Sequence, residues 1–484
     1  MLFNSIEFVL FLPLVYSLYW FITNKSLNTQ NLLIVVSSYI FYGWWDWRFL
    51  GLIVFSTVVD YSIGYMLSIT DSKTKRKFLL WFSLIINLGL LGFFKYYNFF
   101  LDSLYDVMPF LNTSEGFNTL EIILPVGISF YTFQTLSYTI DVYKKNMQPT
   151  KDFIAFAAFV SFFPQLVAGP IERASNLLPQ ILKKRKFNYE QSTQGVRLIL
   201  YGLLKKIVIA DSLAPSVNEI FLNFSLYSPL VLILGVFFFT FQIYCDFSGY
   251  TDIARGLSKL LGIELMENFK FPYFSRSIGE FWRRWHISLS TWFRDYLYIP
   301  LGGSRGTKLK NIRNIFIIFL VSGFWHGANW TFIIWGVIHA LLFIPSFLSK
   351  SNRKHIDELP KTKYILPSLS NFFLILKTFL IVSLAWIFFR ANSVGNAFDY
   401  IKHIIEWDFD QNSIFYNPYD NQPLFKEYIY LLGFIVVEYL IASKVINLFS
   451  KDLRSRVFID SLIIILIIIN SPVTSSLSFI YFQF

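Results

Sequence analysis

Two histidines in unusual surroundings are the residues best placed to do chemistry. His326 sits in Ser322-Gly-Phe-Trp-His-Gly-Ala-Asn-Trp330, inside a stretch from Asn314 to Leu348 that holds no Lys, Arg, Asp or Glu. An imidazole kept neutral between indoles can take a proton from a hydroxyl. His286 sits in Phe281-Trp-Arg-Arg-Trp-His-Ile-Ser-Leu-Ser290. Each also has a plainer reading, as a hydrogen-bonded core residue or one that packs two helices together. His339 falls in the second half of the 314–348 run and reads as structural, while His355 and His403 fall in loops. The single cysteine, Cys245, leaves no disulfide framework and no cysteine-based zinc cluster, and no metal site is expected.

Three elements must position these groups. The uncharged 314–348 run is long for one membrane span and short for two joined by a loop; up to His326 it rises only about 20 Å as a helix. A break at Gly327-Ala-Asn329 within the membrane follows, with a second helix from Trp330 onward. Such breaks are tolerated where they are buried in protein or line a wet cavity. Residues 278–296 read as one basic amphipathic helix, ended by Pro300-Leu-Gly-Gly, of the kind that lies on or re-enters a membrane. Its aromatic face carries Trp282, Trp285, His286, Leu289, Trp292, Phe293 and Tyr296; its polar face carries Arg283, Arg284, Thr291, Arg294 and Asp295. Between 270 and 313 nine Lys or Arg stand against Glu280 and Asp295. That excess suits lipid head groups or a polyphosphate such as coenzyme A, or simply a cytoplasmic loop. Gly302-Gly-Ser-Arg305-Gly is not a Walker sequence and is a weak phosphate signal. The third element, Gln242 to Arg255, predicts a span running into Asp246, a break at Ser248-Gly249, and a new helix capped by Thr251 or Asp252. A carboxylate at the end of an apolar run needs a partner, so Asp246 is expected to pair with an arginine, Arg255 among the choices.

The rest of the chain says what solvent these elements meet. Of 484 residues, 55% are hydrophobic, 20% aromatic and only 15% charged, against about 25% charged in soluble domains. Apolar runs recur, among them Leu50–Ile69, Phe78–Phe94, Ile122–Tyr143, Leu230–Cys245 and Phe372–Phe389. None alternates as a barrel strand would, so the fold class is all-α: a polytopic transmembrane bundle of about 10–13 segments, some broken or re-entrant. The first run, Met1–Phe21, lacks a basic start and a small-residue cleavage site and reads as a retained span. The net charge of +11 does not call for nucleic acid, because the basic residues cluster in short loops at 71–77, 350–363 and 444–456, while loops at 102–119 and 399–420 are acidic. That is the positive-inside pattern, with the basic loops cytoplasmic and, by parity, both termini outside. With no internal repeat, linker or soluble segment, residues 1–484 read as one membrane domain with its chemistry at 242–340.

Together these stretches resemble the membrane-bound O-acyltransferases, and within them the bacterial proteins of alginate and peptidoglycan O-acetylation. The match is carried by Gln242-Ile-Tyr-Cys-Asp-Phe-Ser-Gly-Tyr-Thr-Asp-Ile-Ala, by Phe281 to Arg305, and by Gly323-Phe-Trp-His-Gly-Ala-Asn-Trp. Pro164-Gln-Leu-Val-Ala-Gly-Pro-Ile-Glu-Arg173 and Phe389-Arg-Ala-Asn-Ser393 add to it. The resemblance implies a bundle around a central channel, with His326 the catalytic residue and His286, which some members replace with Asn, in a supporting role. It also implies a cytoplasmic thioester donor such as acetyl-CoA, a secreted or periplasmic acetyltransferase partner, and a place in the inner or plasma membrane. No cofactor would be held permanently. Donor phosphates would be bound by Arg283, Arg284, Arg294 and Arg305, and the donor's arm would pass Trp285, Trp292 and Trp325. Acylation of His326 itself, and an acceptor that is alginate, another exopolysaccharide, peptidoglycan or a teichoic-type polymer, all stay open. A transporter or flippase for lipid-linked sugars, or a scaffold of a secretion complex, would share the basic loops and broken helices; transporters more often carry pseudo-repeats.

Overall fold

The structure, a computed structural model, describes residues 1–108, 120–353, 367–406, 424–446, 452–471 and 479–480. Parts of the loops at 102–119, 350–363, 399–420 and 444–456, with His355, lie outside the described residues. Everything described is helix or connecting turn, as an all-α chain requires. The chain groups into two compact units, residues 1–199 with 253–266, and residues 200–252 with 267–484.

The first unit begins with α1 (Ile6–Ser17), α2 (Leu27–Asp46), α3 (Leu50–Ile69), α4 (Lys73–Leu91) and α5 (Tyr97–Val107). It continues through α6 (Ile128–Tyr143), α7 (Phe153–Ser161), α8 (Phe163–Leu166) and α9 (Ala174–Ile181). Stretches 6–25, 27–69 and 73–107 are long and apolar enough to cross a membrane, the last two holding two helices each. They expose Leu14, Phe21, Phe55 and Ile85 outward, a surface suited to lipid and costly in water. Inside, α3, α4 and α6 are joined by polar groups: Asp60 accepts from Ser83 Oγ (2.5 Å), Asn87 Nδ2 (2.9 Å) and Thr139 Oγ1 (3.1 Å). Helices that gain nothing from leaving lipid for one another use such bonds to associate. Exposed Trp44, Trp45 and Trp47 mark one end of α3, and Lys73, Lys75, Arg76 and Lys77 follow its other end. Aromatic rings and basic groups at opposite ends are what two membrane interfaces select.

The boundary between units falls within α10 (Tyr189–Leu203) and within the helix of 229–260. In the second unit a π-helical turn, Leu204–Ala210, precedes α11 (Asp211–Leu222), and α12 runs unbroken from Pro229 to Leu260. Then come α13 (Ile278–Arg284), α14 (Ile287–Phe293) with a π turn at Arg294–Tyr298, α15 (Lys308–His326), α16 (Trp330–Leu348), α17 (Leu369–Arg390), α18 (Val394–Ile405), α19 (Phe425–Ala442) and α20 (Leu453–Asn470). Stretches 229–260, 330–348 and 369–390 are long and apolar enough to span.

Two local expectations fail here. The break at Ser248-Gly249 is absent because Gly249 serves packing: a Cβ there would lie 2.7 Å from the carbonyl of Gly202, so the glycine allows close helix contact. Residues 278–296 are not one helix; the chain leaves the helical region at Trp285 and turns at His286, separating α13 from α14. The expected break after His326 is present, at residues 327–329.

Candidate active site

The break that separates α15 from α16 is built by small residues. A Cβ on Gly323 would collide with the carbonyl of Phe332, and one on Gly336 with that of Phe319, so the two helices pack backbone against backbone. Asn329 caps α16 by accepting from Thr331 N (2.9 Å), and its amide donates to the carbonyl of Asn392 (3.1 Å). His326 is thereby fixed at the last position of α15. It is buried, its ring centroid 5.0 Å from Trp325, 5.2 Å from Trp335 and 5.3 Å from Phe389. The setting between indoles matches the expectation for it.

His286 reaches the same place by a strained turn. Its backbone is left-handed, φ +43° and ψ +56°, which costs a residue with a side chain on the order of 1–3 kcal/mol. The segment before α13 holds it there: Lys270 N donates to Arg284 O (3.0 Å), and Ile287 N donates to Asn268 O (2.9 Å). The Asn268 side chain accepts from Ser288 N (3.2 Å) and Ser288 Oγ (2.5 Å). The imidazole is buried edge-on to Phe247 (4.7 Å), with Trp325 at 5.9 Å and His326 at 6.4 Å between centroids. The structure therefore brings together the two histidines, with Trp325 against both. Seven-residue α13 and α14 are too short to span, and burial alone pushes the His286 imidazolium down to about 3, leaving a neutral ring. Neither of its nitrogens has a hydrogen-bond partner among the described residues, so both are available to a substrate group.

A cavity of about 300 Å³ is lined by neighbouring turns of α13–α16, though by neither histidine itself. Ile315, Ile318, Phe319, Phe343 and Phe347 line it, with Arg294, Ser304 and Asn352 supplying polar groups. Ser290 and Ser322 also line it, each four residues, one helical turn, from a histidine.

Arg284 is half of a buried ion pair with Glu280 (2.8 Å), which Arg276 shares (2.9 Å). Arg283 donates to the carbonyl of Asn352. Arg294 pairs with Asp295 (2.7 Å) while lining the cavity, and Arg305 is exposed. Trp285 and Trp292 do not line the cavity: Trp285 packs on Phe269 (5.0 Å) and Trp386 (5.0 Å), and Trp292 on Tyr296 (5.0 Å). The tryptophan that does line it, Trp282, sat on the predicted aromatic face but was not among the expected donor contacts.

Sequence reading also missed the partners of the α12 acids. Asp246 pairs with Lys206 (2.8 Å), not with an arginine, and accepts from Ile480 N (2.6 Å). Asp252, expected as a cap, pairs with Lys205 (3.0 Å), which also approaches Glu438 (3.6 Å). Two adjacent lysines in an apolar run, and one glutamate in another, were the available signal. Among the described residues no group of three or more His, Cys, Asp or Glu is arranged to hold a metal ion.

Residues 39–389 match the model of MBOAT, the membrane-bound O-acyltransferase family. The chain belongs to the membrane-bound O-acyltransferases. Within this family it is 43% identical over 402 residues to the probable alginate O-acetylase AlgI of Azotobacter vinelandii, covering 82% of this chain and 76% of that protein. It is 38% identical over 435 residues to the peptidoglycan O-acetyltransferase of Helicobacter pylori, covering 84% and 80%. A more distant match, 29% identical over 272 residues, is the teichoic acid D-alanyltransferase of Bacillus subtilis, with 51% and 66% covered. The protein is thus a membrane-bound acyltransferase, as the motifs around His286 and His326 imply.

Proposed function

We propose that this membrane-bound O-acyltransferase moves an acetyl group from a cytoplasmic thioester, acetyl-CoA, across the inner membrane for O-acetylation of an extracytoplasmic polysaccharide. The observation that carries this reading is the meeting of His286 and His326, in a chain whose similar relatives are named O-acetylases of alginate and peptidoglycan.

Coenzyme A is too highly charged to cross hydrocarbon, so only the acyl group travels. Arg294 and Arg305 hold the donor's phosphates, helped by Arg283, which is bonded to Asn352 of the cavity wall; Arg284, already matched by Glu280, keeps the turn before His286 in place. The thioester arm lies along the cavity. His326 takes the proton of the acceptor hydroxyl as the oxygen attacks the thioester carbonyl, and the thiol leaves carrying a proton. His286, neutral and with unpaired nitrogens, hydrogen-bonds the developing oxyanion or the reacting hydroxyl. A secreted or periplasmic acetyltransferase that receives the acetyl group and completes transfer to polymer fits the same arrangement.

His326→Ala is expected to abolish surface O-acetylation at unchanged membrane abundance. Removing a general base alone lowers rate by about 10²–10⁴. Glycan mass spectrometry showing wild-type acetylation at equal expression would falsify the assignment.

A further inference from the structure

One face of α16 leads from the cavity to the proposed base. Phe347 and Phe343 line the cavity, His339 follows one turn on, and Trp335, one turn further, has its ring 5.2 Å from His326. Residues four apart share a face and step about 6 Å along the axis. His339 therefore stands between the cavity and His326.

Its surroundings are odd for a packing residue. His339 is fully buried, its ring 4.9 Å from Trp282, 4.8 Å from Trp335 and 6.3 Å from Phe319. Trp282 and Phe319 are also cavity walls. Both ring nitrogens of His339, and the Nε1 atoms of Trp282 and Trp335, have no hydrogen-bond partner among the described residues. A neutral imidazole offers one donor and one acceptor, and an indole one donor. Leaving such groups unpaired in a buried place is costly, and buried polar atoms are nearly always paired. Phenylalanine would fill the same box without that cost.

We propose that His339, with Trp282, is a donor-binding residue that hydrogen-bonds the amide groups of the thioester's arm as its acyl end passes toward His326. The proposal rests on the reading that a thioester enters by this cavity. A pantetheine-type arm alternates amides with methylenes. Ile315, Ile318, Phe343 and Phe347 suit the methylenes; Trp282 lines the cavity, and His339 stands directly behind it, packed on the wall residues Trp282 and Phe319.

The test compares purified His339→Phe and His339→Gln with wild type. Transfer is followed against acetyl-CoA concentration, and acetyl-CoA binding is measured in a His326→Ala background, where turnover does not interfere. His339→Phe should raise donor KM and Kd about tenfold, the scale of one lost hydrogen bond, with kcat little changed. His339→Gln should recover most of the loss, because its amide both donates and accepts. Wild-type affinity in His339→Phe, or equal impairment in both variants, would overturn the assignment and leave the donor reading standing. No saturable acetyl-CoA binding in any protein, wild type included, would overturn the donor reading and His339's role with it.

Discussion

A strained backbone holds one of the two imidazoles of the site. His286 adopts a left-handed conformation that Asn tolerates better than Ala. Asn also keeps a donor and an acceptor, but it cannot titrate near neutral pH. His286→Asn should therefore retain more transfer activity than His286→Ala, with both proteins present in the membrane at similar amounts. Equal loss in two well-folded variants would instead give His286 a proton-transfer role. The histidines themselves were legible in the sequence, because each interrupts an apolar or aromatic run. Trp282 was not singled out, since four tryptophans lie between 281 and 325 and spacing alone does not say which one meets a cavity.

Elements decide whether these residues meet. The break after His326 was readable because the uncharged run has the wrong length for a simple span, and length is a property of sequence. The turn at His286 was not, because its cause is Asn268, a residue of another segment whose bonds to Ser288 leave no local pattern. Periodicity over 278–296 accordingly suggested one helix where two exist. Ser248-Gly249 misled in the opposite sense: a pair that often marks a break instead lets α12 approach the backbone of α10 at Gly202. Replacing Asn268 by Ala would remove the acceptor that the Ser288 N–H and hydroxyl share, at about 0.5–1.5 kcal/mol for each lost bond. Transfer activity should fall as the His286 turn loosens, and a lower midpoint in a thermal scan of the purified protein should accompany it. Gly336→Ala tests the other element. Its Cβ meets the Phe319 carbonyl, so α15 and α16 must separate, and activity should drop even though no polar group is lost.

For the whole molecule, composition and loop charge made the membrane-spanning all-α class legible, since a chain only 15% charged cannot cover itself in water. Six helical stretches meet the length and hydropathy of a span among the described residues. The other expected segments are shorter or more polar helices such as α6, whose Ser, Thr and Asp side chains face inward. The proposed orientation predicts labelling within the first unit. In a Cys245→Ser background, a cysteine at Ser72 should be shielded from an impermeant thiol reagent in intact cells, and one at Arg48, across α3, should react. The reverse pattern would turn the basic loops away from the coenzyme A pool. Vectorial transfer itself gives the most direct measurement: membrane vesicles of known sidedness supplied with radiolabelled acetyl-CoA on their outer surface. The account predicts transfer of label to glycan in inverted vesicles, none in right-side-out vesicles, and none in either when His326 is Ala. Label transferred by right-side-out vesicles, or by the His326→Ala protein, would contradict it.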